Sequence, residues 1–482
     1  MRSRVLRGFA WKAGSHVVLL VARVASTVVL ARHLTPHDYG VVGMALVFVT
    51  PGLVLADVAL GTALVQRRFL REVDALTVFW TSIVAGLILS LAGIALSEPV
   101  SRFYGEPEVR PLLAALSATF ALASVAATHR AILSRQLEFG KLEAINVLAG
   151  ITAGAAAVWT ALEGHGAWAL VVYQLAGAAV STALVWVMLP WRPRWGFSFA
   201  SLGELSRVGG DIVGARALFS LHRNVDNFLV GRFLGAAALG AYAFAYSLML
   251  LPLSQLTRPV QTVLFPALAR LHDDPRRVAS LWLRVTRFMA AICVPATLGL
   301  VVFAPELVSV VFGDRWERAV PVIRVLAIVG LLQCLTTLNA QILVAMGRTR
   351  ALLRFSAVTF GVSMVGFVVG LPWGIVGVAS GYLVANLVLV PLYFRLTAMH
   401  VGISAGRLAR NLRGVAEASL GMLALIVVSK WLLLVGNVAA GPRLAILVLA
   451  GAGTFLPFCR WRAPQVFGEV SRLRRVGRPS AV

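Results

Sequence analysis

Long apolar runs alternate with short polar connections along the whole chain. A helix that crosses a membrane needs roughly 20 mostly apolar residues, and the pattern predicts fourteen such stretches. Six fall near 11–31, 40–64, 75–97, 111–134, 142–162 and 166–189. Six more fall near 208–230, 236–257, 280–304, 319–346, 352–371 and 374–394, and two follow near 415–435 and 443–459. The stretch 208–230 is the least apolar, because it carries Asp211, Arg216, His222, Arg223 and Asp226.

The charges test this division. Connections on alternate sides of a membrane should differ in Lys and Arg, with the excess on the cytoplasmic side. Residues 1–12, 65–74, 130–141, 190–207, 258–287, 347–354, 395–413 and 460–482 together hold 32 of the 44 basic residues. The intervening connections hold seven: Arg32, Arg102, Arg110, Arg232, Arg315, Arg318 and Arg443. Arg23, Arg216, Arg223, Arg324 and Lys430 lie inside spans. A wrong span count would scramble this alternation, so both termini are expected in the cytoplasm. All twelve Trp fall near span ends, as at Trp11, Trp80, Trp168, Trp282, Trp373 and Trp461, which is the aromatic belt of a membrane protein.

Composition changes the picture only by exclusion. A length of 482 residues would suit about three soluble domains. With 59% hydrophobic and 13% charged residues and a mean hydropathy of +0.85, the chain needs a lipid solvent instead. The net charge of +24 is scattered between apolar runs rather than gathered in one patch, which argues against nucleic acid as a partner. The opening MRSRVLRGFAWK resembles a secretory signal, but the apolar run after it contains Arg23, is span-length and lacks a small-residue cleavage site. It reads as a retained first span. Cys293, Cys334 and Cys459 form no CxxC pair, so neither a disulfide framework nor a metal site follows from them.

A second regularity has a period of 200 residues. ARHLTPHDYGVVGMA (31–45) returns as GRFLGAAALGAYAFA (231–245), with Arg32 on Arg232, Leu34 on Leu234, Gly40 on Gly240 and Ala45 on Ala245. Extended inward, VARVASTVVLARHL (21–34) aligns with LHRNVDNFLVGRFL (221–234) and sets Arg23 on Arg223. The repeat falls six spans apart, so both copies run in the same direction. That implies two halves related by an axis along the membrane normal. It divides the chain into an N-terminal lobe (1–200), a C-terminal lobe (201–400) and two last spans with a basic tail (401–482).

The stretches LARHLTPHDYGVVGMALVF, LADVALGTALVQRR (55–68) and NVDNFLVGRFLGAAALGAYAFAYSLMLLPLSQLTRPVQTVLFPALARL (224–271) resemble the polysaccharide-biosynthesis flippases, Wzx-type, of the MATE-like MOP superfamily. The resemblance covers roughly residues 5–400. It implies an all-α polytopic membrane protein with two six-helix lobes in pseudo-two-fold arrangement, plus two C-terminal helices. It also implies movement of polyprenyl-pyrophosphate-linked oligosaccharide across the cytoplasmic membrane for a lipopolysaccharide or exopolysaccharide. The partners it implies are the lipid-linked glycan, membrane lipids and glycan polymerase machinery. The chain departs from the family mainly in using Arg for nearly every basic position, Lys12, Lys141 and Lys430 being its only lysines.

Charges inside the spans are the candidate chemistry. An Arg at a helix centre costs about 2.5–3.5 kcal/mol on insertion scales, so Arg23, Arg216 and Arg223 facing lipid would cost roughly 8–10 kcal/mol together. They need a wet cavity or a counter-charge. At 100° per residue, Lys12, His16, Arg23 and Thr27 fall within about a 60° arc of the first span, and Arg216, Ser220, Arg223 and Asn227 do the same in the seventh. Two polar stripes on repeated helices can line one cavity, and guanidinium suits phosphate oxygens by charge and fork geometry. Against this, Asp226 lies three residues after Arg223 and the two can simply pair. Arg324, near an outer helix end, is expected to snorkel. Asp57 stands either as a cation ligand or as a structural residue of the DVALG segment, and His16 as a pH-sensitive group.

No cofactor is expected. The chain has no GxxxxGK[ST] loop and no soluble segment large enough for an ATPase. One charge crossing 100 mV is worth about 2.3 kcal/mol, so a head group near −2 leaving a negative interior gains roughly 4–5 kcal/mol. The membrane potential suffices as the energy source. A sodium or proton gradient acting at Asp211, Asp226, Asn227, Asp57 or Asn386 is the other route. The expected mechanism is alternating access, with Pro51 and Pro252 as points where spans can bend. The main alternative is a cation-coupled MATE-type small-molecule exporter, which should have an acidic or aromatic cavity rather than basic stripes. A glycan polymerase or ligase would need a large external loop, and the longest here is about fourteen residues, 305–318. No carboxylate pair, nucleophile triad or metal cluster supports an enzyme.

Overall fold

A computed structural model describes residues 2–58, 61–67, 71–251 and 274–466. Every regular element among them is helical. In chain order these are α1 (Arg2–His33), α2 (Pro36–Val58), α3 (Gly61–Gln66), α4 (Glu72–Tyr104), α5 (Val109–Arg135), α6 (Phe139–Leu162), α7 (Trp168–Met188) and α8 (Phe199–Leu234). They continue as α9 (Ala236–Leu251), α10 (Pro275–Leu307), α11 (Val320–Thr336), α12 (Asn339–Ala345), α13 (Thr349–Gly370), α14 (Gly374–Val401), α15 (Ala405–Val435) and α16 (Ala440–Arg462). The described part of each of the fourteen expected spans is helical for most of its length, which is consistent with that count. Among the described residues ten segments are long and apolar enough to cross a membrane, one of them holding both α13 and α14. The charged helices α1 and α8 are not among them. The protein is a multi-pass membrane protein.

The packing is inverted relative to a soluble core. On α4, Val84, Leu87, Ile88, Leu91 and Ile94 recur at helical spacing and are all exposed, while Ser82, Gly86 and Ser90 are buried. The small face lies against α5, where the Ser90 hydroxyl donates to the Ser117 carbonyl at 2.8 Å. In lipid, apolar side chains gain little by leaving the surface, so close backbone approach and hydrogen bonds hold helices together. The hairpin of α13 and α14 shows the same principle. GFVVG (366–370) faces GVASG (377–381), and a Cβ on Gly381 would overlap the Gly366 carbonyl oxygen.

Two compact units divide the chain, 1–243 and 244–482. In the first, α1 packs on α6, α6 on α7, α4 on α5, and α2 on α5 and α8. One cluster gathers Leu64, Val78, Leu133, Ile145, Val185 and Leu205. In the second, α10 packs on α11, α15 and α16, and α13 on α14. Its buried residues Val278, Trp282, Leu338, Ile342 and Val401 form one cluster, and Ala291, Val415, Met422, Ile426 and Leu447 another.

Three local features differ from the sequence expectation. The span expected at 319–346 is two helices: α11 ends at Thr336, where the Thr336 and Thr337 hydroxyls both bond the Gln333 carbonyl at 3.1 and 2.9 Å, and α12 starts at Asn339. The connection before the seventh span is partly helical, since α8 starts at Phe199 with Ser198 as its N-cap. Cys293 and Cys334 are joined in a disulfide between α10 and α11, with Cα atoms 6.7 Å apart. Their separation of 41 residues and their place in apolar runs gave no spacing signal for this pairing.

Candidate functional site

The two repeated helices end in step. α1 stops at His33 and α2 starts at Pro36; α8 stops at Leu234 and α9 starts at Ala236. The first break is closed by Thr35 and Asp38, whose side chains exchange hydrogen bonds with each other's backbone N–H at 2.8 and 3.2 Å. In the second copy Gly235 does the work with φ of 85°, a conformation that suits a residue without Cβ. The repeat is therefore a helix–break–helix unit used twice.

The copies meet at their shared glycines. A Cβ on Gly40 would overlap the Ala236 carbonyl oxygen, and a Cβ on Gly240 would overlap the Pro36 carbonyl oxygen. Position 36 answers 236 and position 40 answers 240, so the contact between the starts of α2 and α9 has local two-fold symmetry. Only glycine at both places lets the backbones come this close.

On the polar stripes, Arg23 and Arg223 are both exposed, and neither is in an ion pair among the described residues. Thr27 is bonded to the Arg23 carbonyl at 2.8 Å, and Asn224 to the Ser220 carbonyl at 2.7 Å. Arg223 and Asp226 do not pair. Asp226 is only 4% exposed, and its carboxylate accepts the Tyr242 hydroxyl at 3.0 Å and the Asn227 backbone N–H at 2.8 Å. The structure does not bring Arg23 and Arg223 into contact with each other. The side chains of Lys12, His16, Asp57, Asp211 and Arg216 lie outside the described residues, although their backbones belong to α1, α2 and α8. Pro252 also lies outside them. Asn386 is spent on its own helix, donating to the Tyr382 carbonyl at 2.8 Å.

Sequence reasoning missed one buried charge cluster. Glu306, 3% exposed, receives Lys430 of α15 at 2.9 Å and Arg443 of α16 at 3.3 Å. Lys430 also donates to the Val302 carbonyl at 2.6 Å. The signal was present, because a lysine inside an apolar span demands a partner. The partner lies 124 residues earlier. A cavity of about 460 Å³ adjoins the cluster, lined by Glu306, Asp314, Glu317, Arg324 and Arg443 among others. Arg324 is exposed, at the mouth of mixed charge rather than on a bare apolar face.

Comparison with known proteins follows the same lines. Residues 29–321, more than half of the chain, match the family described as polysaccharide biosynthesis protein. The lipopolysaccharide biosynthesis protein WzxC of Escherichia coli K12 is 27% identical over 398 residues, which is 80% of each chain. Among solved structures, the lipid II flippase MurJ in its inward closed conformation aligns with a TM-score of 0.79 at 14% identity, over 95% of this chain and 99% of that one. An inward-facing multidrug resistance MATE family transporter of the MOP superfamily aligns with a TM-score of 0.60 at 16% identity, over 80% and 94%. At 14% and 16% identity these structural likenesses carry the fold alone. By the family match, this chain belongs to the polysaccharide biosynthesis proteins.

Proposed function

We propose that this protein is a flippase. It carries polyprenyl-pyrophosphate-linked oligosaccharide across the cytoplasmic membrane by alternating access, during synthesis of a cell-surface polysaccharide. The observation that carries the reading is the pair Arg23 and Arg223. They sit at matching positions of repeated helices, exposed and outside any ion pair among the described residues. A buried or lipid-facing guanidinium is unstable, whereas one facing a wet chamber is ready for a phosphate anion. WzxC is named for lipopolysaccharide biosynthesis and MurJ for flipping lipid II, and both names agree with a lipid-linked glycan as cargo.

The rest of the reading follows from the chemistry of that cargo. The pyrophosphate and sugars occupy the cationic chamber and the prenyl tail stays in lipid. Lys12, His16 and Arg216 extend the two stripes along α1 and α8. The termini are cytoplasmic, in keeping with the distribution of Lys and Arg. The membrane potential drives export of the negative head group, with Asp57, Asp211, Asp226 and Asn227 as the acidic and amide groups open to a coupling cation. Glycan polymerase machinery receives the exported unit. The contact at Gly40 and Gly240 closes the outer ends of α2 and α9 until the cargo is ready to leave.

The test is reconstitution of this protein alone in liposomes with a fluorescent polyprenyl-pyrophosphate-linked sugar in one leaflet. Movement of the sugar lipid to the other leaflet supports the flippase. Export of a cationic dye, with no movement of the sugar lipid, hands the function to a MATE-type exporter.

A further inference from the structure

Apart from the polar stripes, the second unit carries a cavity of about 480 Å³ where α10, α15 and α16 come together. Its polar lining is Arg287 of α10, Arg407, Arg410 and Asn411 of α15, and Arg462 and Gln465 at the end of α16. Among the described residues no carboxylate lines it. The nearby acid, Glu417, is held outside the cavity by Arg413 at 2.7 Å and by Arg462 at 3.3 Å. Four guanidiniums thus share a small volume with two side-chain amides.

The cavity is built rather than accidental. Asn411 donates to the Leu283 carbonyl at 2.8 Å and so ties α15 to α10. Arg287 is bonded to the amide oxygens of Asn411 and Gln465. A Cβ on Gly414 would overlap the Arg462 carbonyl oxygen, so α15 and α16 touch backbone to backbone at the cavity floor. Arg407 and Arg410 line it, exposed and outside any ion pair among the described residues, and like charges this close repel one another until an anion sits between them. Guanidinium forks fit phosphate oxygens in particular.

The level of the cavity in the membrane points to the source of the phosphate. Trp461 precedes Arg462, is 69% exposed, and carries the Arg462 guanidinium over its ring at 4.5 Å. Exposed Trp beside Arg is the signature of the interface where head groups lie. Leu420 and Phe458, both exposed, continue from the cavity along α15 and α16 toward the apolar region. The ends of α10, α15 and α16 that meet here all belong to the Arg-rich set of connections, which is the cytoplasmic side by charge. Basic pockets between helices on that side suit anionic head groups.

We infer that the cavity formed by Arg287, Arg407, Arg410, Asn411, Arg462 and Gln465 binds the phosphate of an anionic phospholipid of the inner leaflet. The site is separate from the Arg23 and Arg223 stripes and does not depend on what the protein transports. It anchors the last two helices to α10 through a lipid rather than through protein contacts alone.

The test uses the full chain in zwitterionic nanodiscs and compares phosphatidylglycerol, phosphatidylcholine and inorganic phosphate as probes, read by native mass spectrometry and thermal unfolding. The variant Arg407→Gln/Arg410→Gln removes two charges from the cavity. Arg348→Gln/Arg350→Gln removes two from a basic turn of the same expected side. The expected result is saturable binding of phosphatidylglycerol, roughly tenfold tighter than phosphatidylcholine, weakened about fivefold or more in the cavity variant and unchanged in the other. If the double variant does not fold, Arg410→Gln alone serves, since its side chain is exposed and reaches only the Gly406 carbonyl at 3.4 Å. Equal losses in both variants, or no preference for phosphatidylglycerol, overturn the site. Inorganic phosphate binding that phosphatidylglycerol does not displace overturns the lipid as its source.

Discussion

At the scale of single residues, the charges in the spans fall into two kinds. Glu306, Lys430 and Arg443 satisfy one another in a buried cluster, whereas Arg23 and Arg223 stay exposed, outside any ion pair among the described residues. The first kind is structural and predicts a specific pattern of stability. Lys430→Met/Arg443→Met leaves the Glu306 carboxylate without a counter-charge and should destabilise the protein by about 3–5 kcal/mol. Adding Glu306→Gln to that pair should restore most of the loss, because no unpaired charge then remains. Thermal unfolding in detergent checks it, and a triple variant no better than the double contradicts the assignment. The glycine contact makes a second prediction. Gly40→Val or Gly240→Val cannot fit against the facing carbonyl and should part the starts of α2 and α9. A cysteine placed at Ala236 should then react several times faster with an impermeant maleimide added from outside. An unchanged rate shows that the contact does not close that end.

At the scale of elements, the helices were legible and their joints were not. Apolar runs located the helices because a lipid solvent demands a minimum apolar length of each span. The break after Thr336 escaped because the residues around it, LLQCLTTLNAQIL, carry no Gly or Pro to mark a helix end. The early start of α8 escaped because its first turns are held by tertiary contacts. Asp74, fully buried, takes Ser201 of α8 at 2.8 Å and Arg67 at 3.0 Å. Arg67 in turn reaches Glu204 at 2.5 Å. This cluster clamps α8 to the start of α4. Asp74→Ala leaves the buried Ser201 hydroxyl without its acceptor and takes one of two acids from Arg67, the other being Glu204, and should cost about 1–3 kcal/mol. The matching observation is early proteolysis between 195 and 207. Resistance equal to wild type places the hold on α8 elsewhere, for instance in the stack of Trp80 on Trp195.

At the scale of the whole molecule, the repeat of 200 residues was the most informative signal. It needed only five identities in 25 positions to mark where α1 and α8 end and where α2 and α9 begin. One of those identities falls where geometry tolerates no alternative, Gly40 on Gly240, and one sets Arg23 on Arg223, the pair proposed to meet the cargo. The separation of Arg223 from Asp226 was not legible. Spacing left a pair open beside a cavity role for Arg223, and the carboxylate goes instead to Tyr242, on another helix. The Arg cavity at the ends of α10, α15 and α16 was also hidden, since its members come from three distant segments.

The most direct test of the central claim, that matched arginines on the repeated helices carry a pyrophosphate head group, is transport under an imposed potential. Proteoliposomes holding wild type, Arg23→Ala, Arg223→Ala or both are loaded with a fluorescent polyprenyl-pyrophosphate-linked sugar. Its appearance in the far leaflet is then followed with and without the potential. Losing a charge-assisted phosphate contact is worth about 1.5–3 kcal/mol, or roughly ten- to hundredfold in rate. The account predicts potential-dependent movement in wild type, slowed by that amount in each single variant and abolished in the double, with thermal unfolding unchanged. Movement at the wild-type rate in the double variant would contradict it.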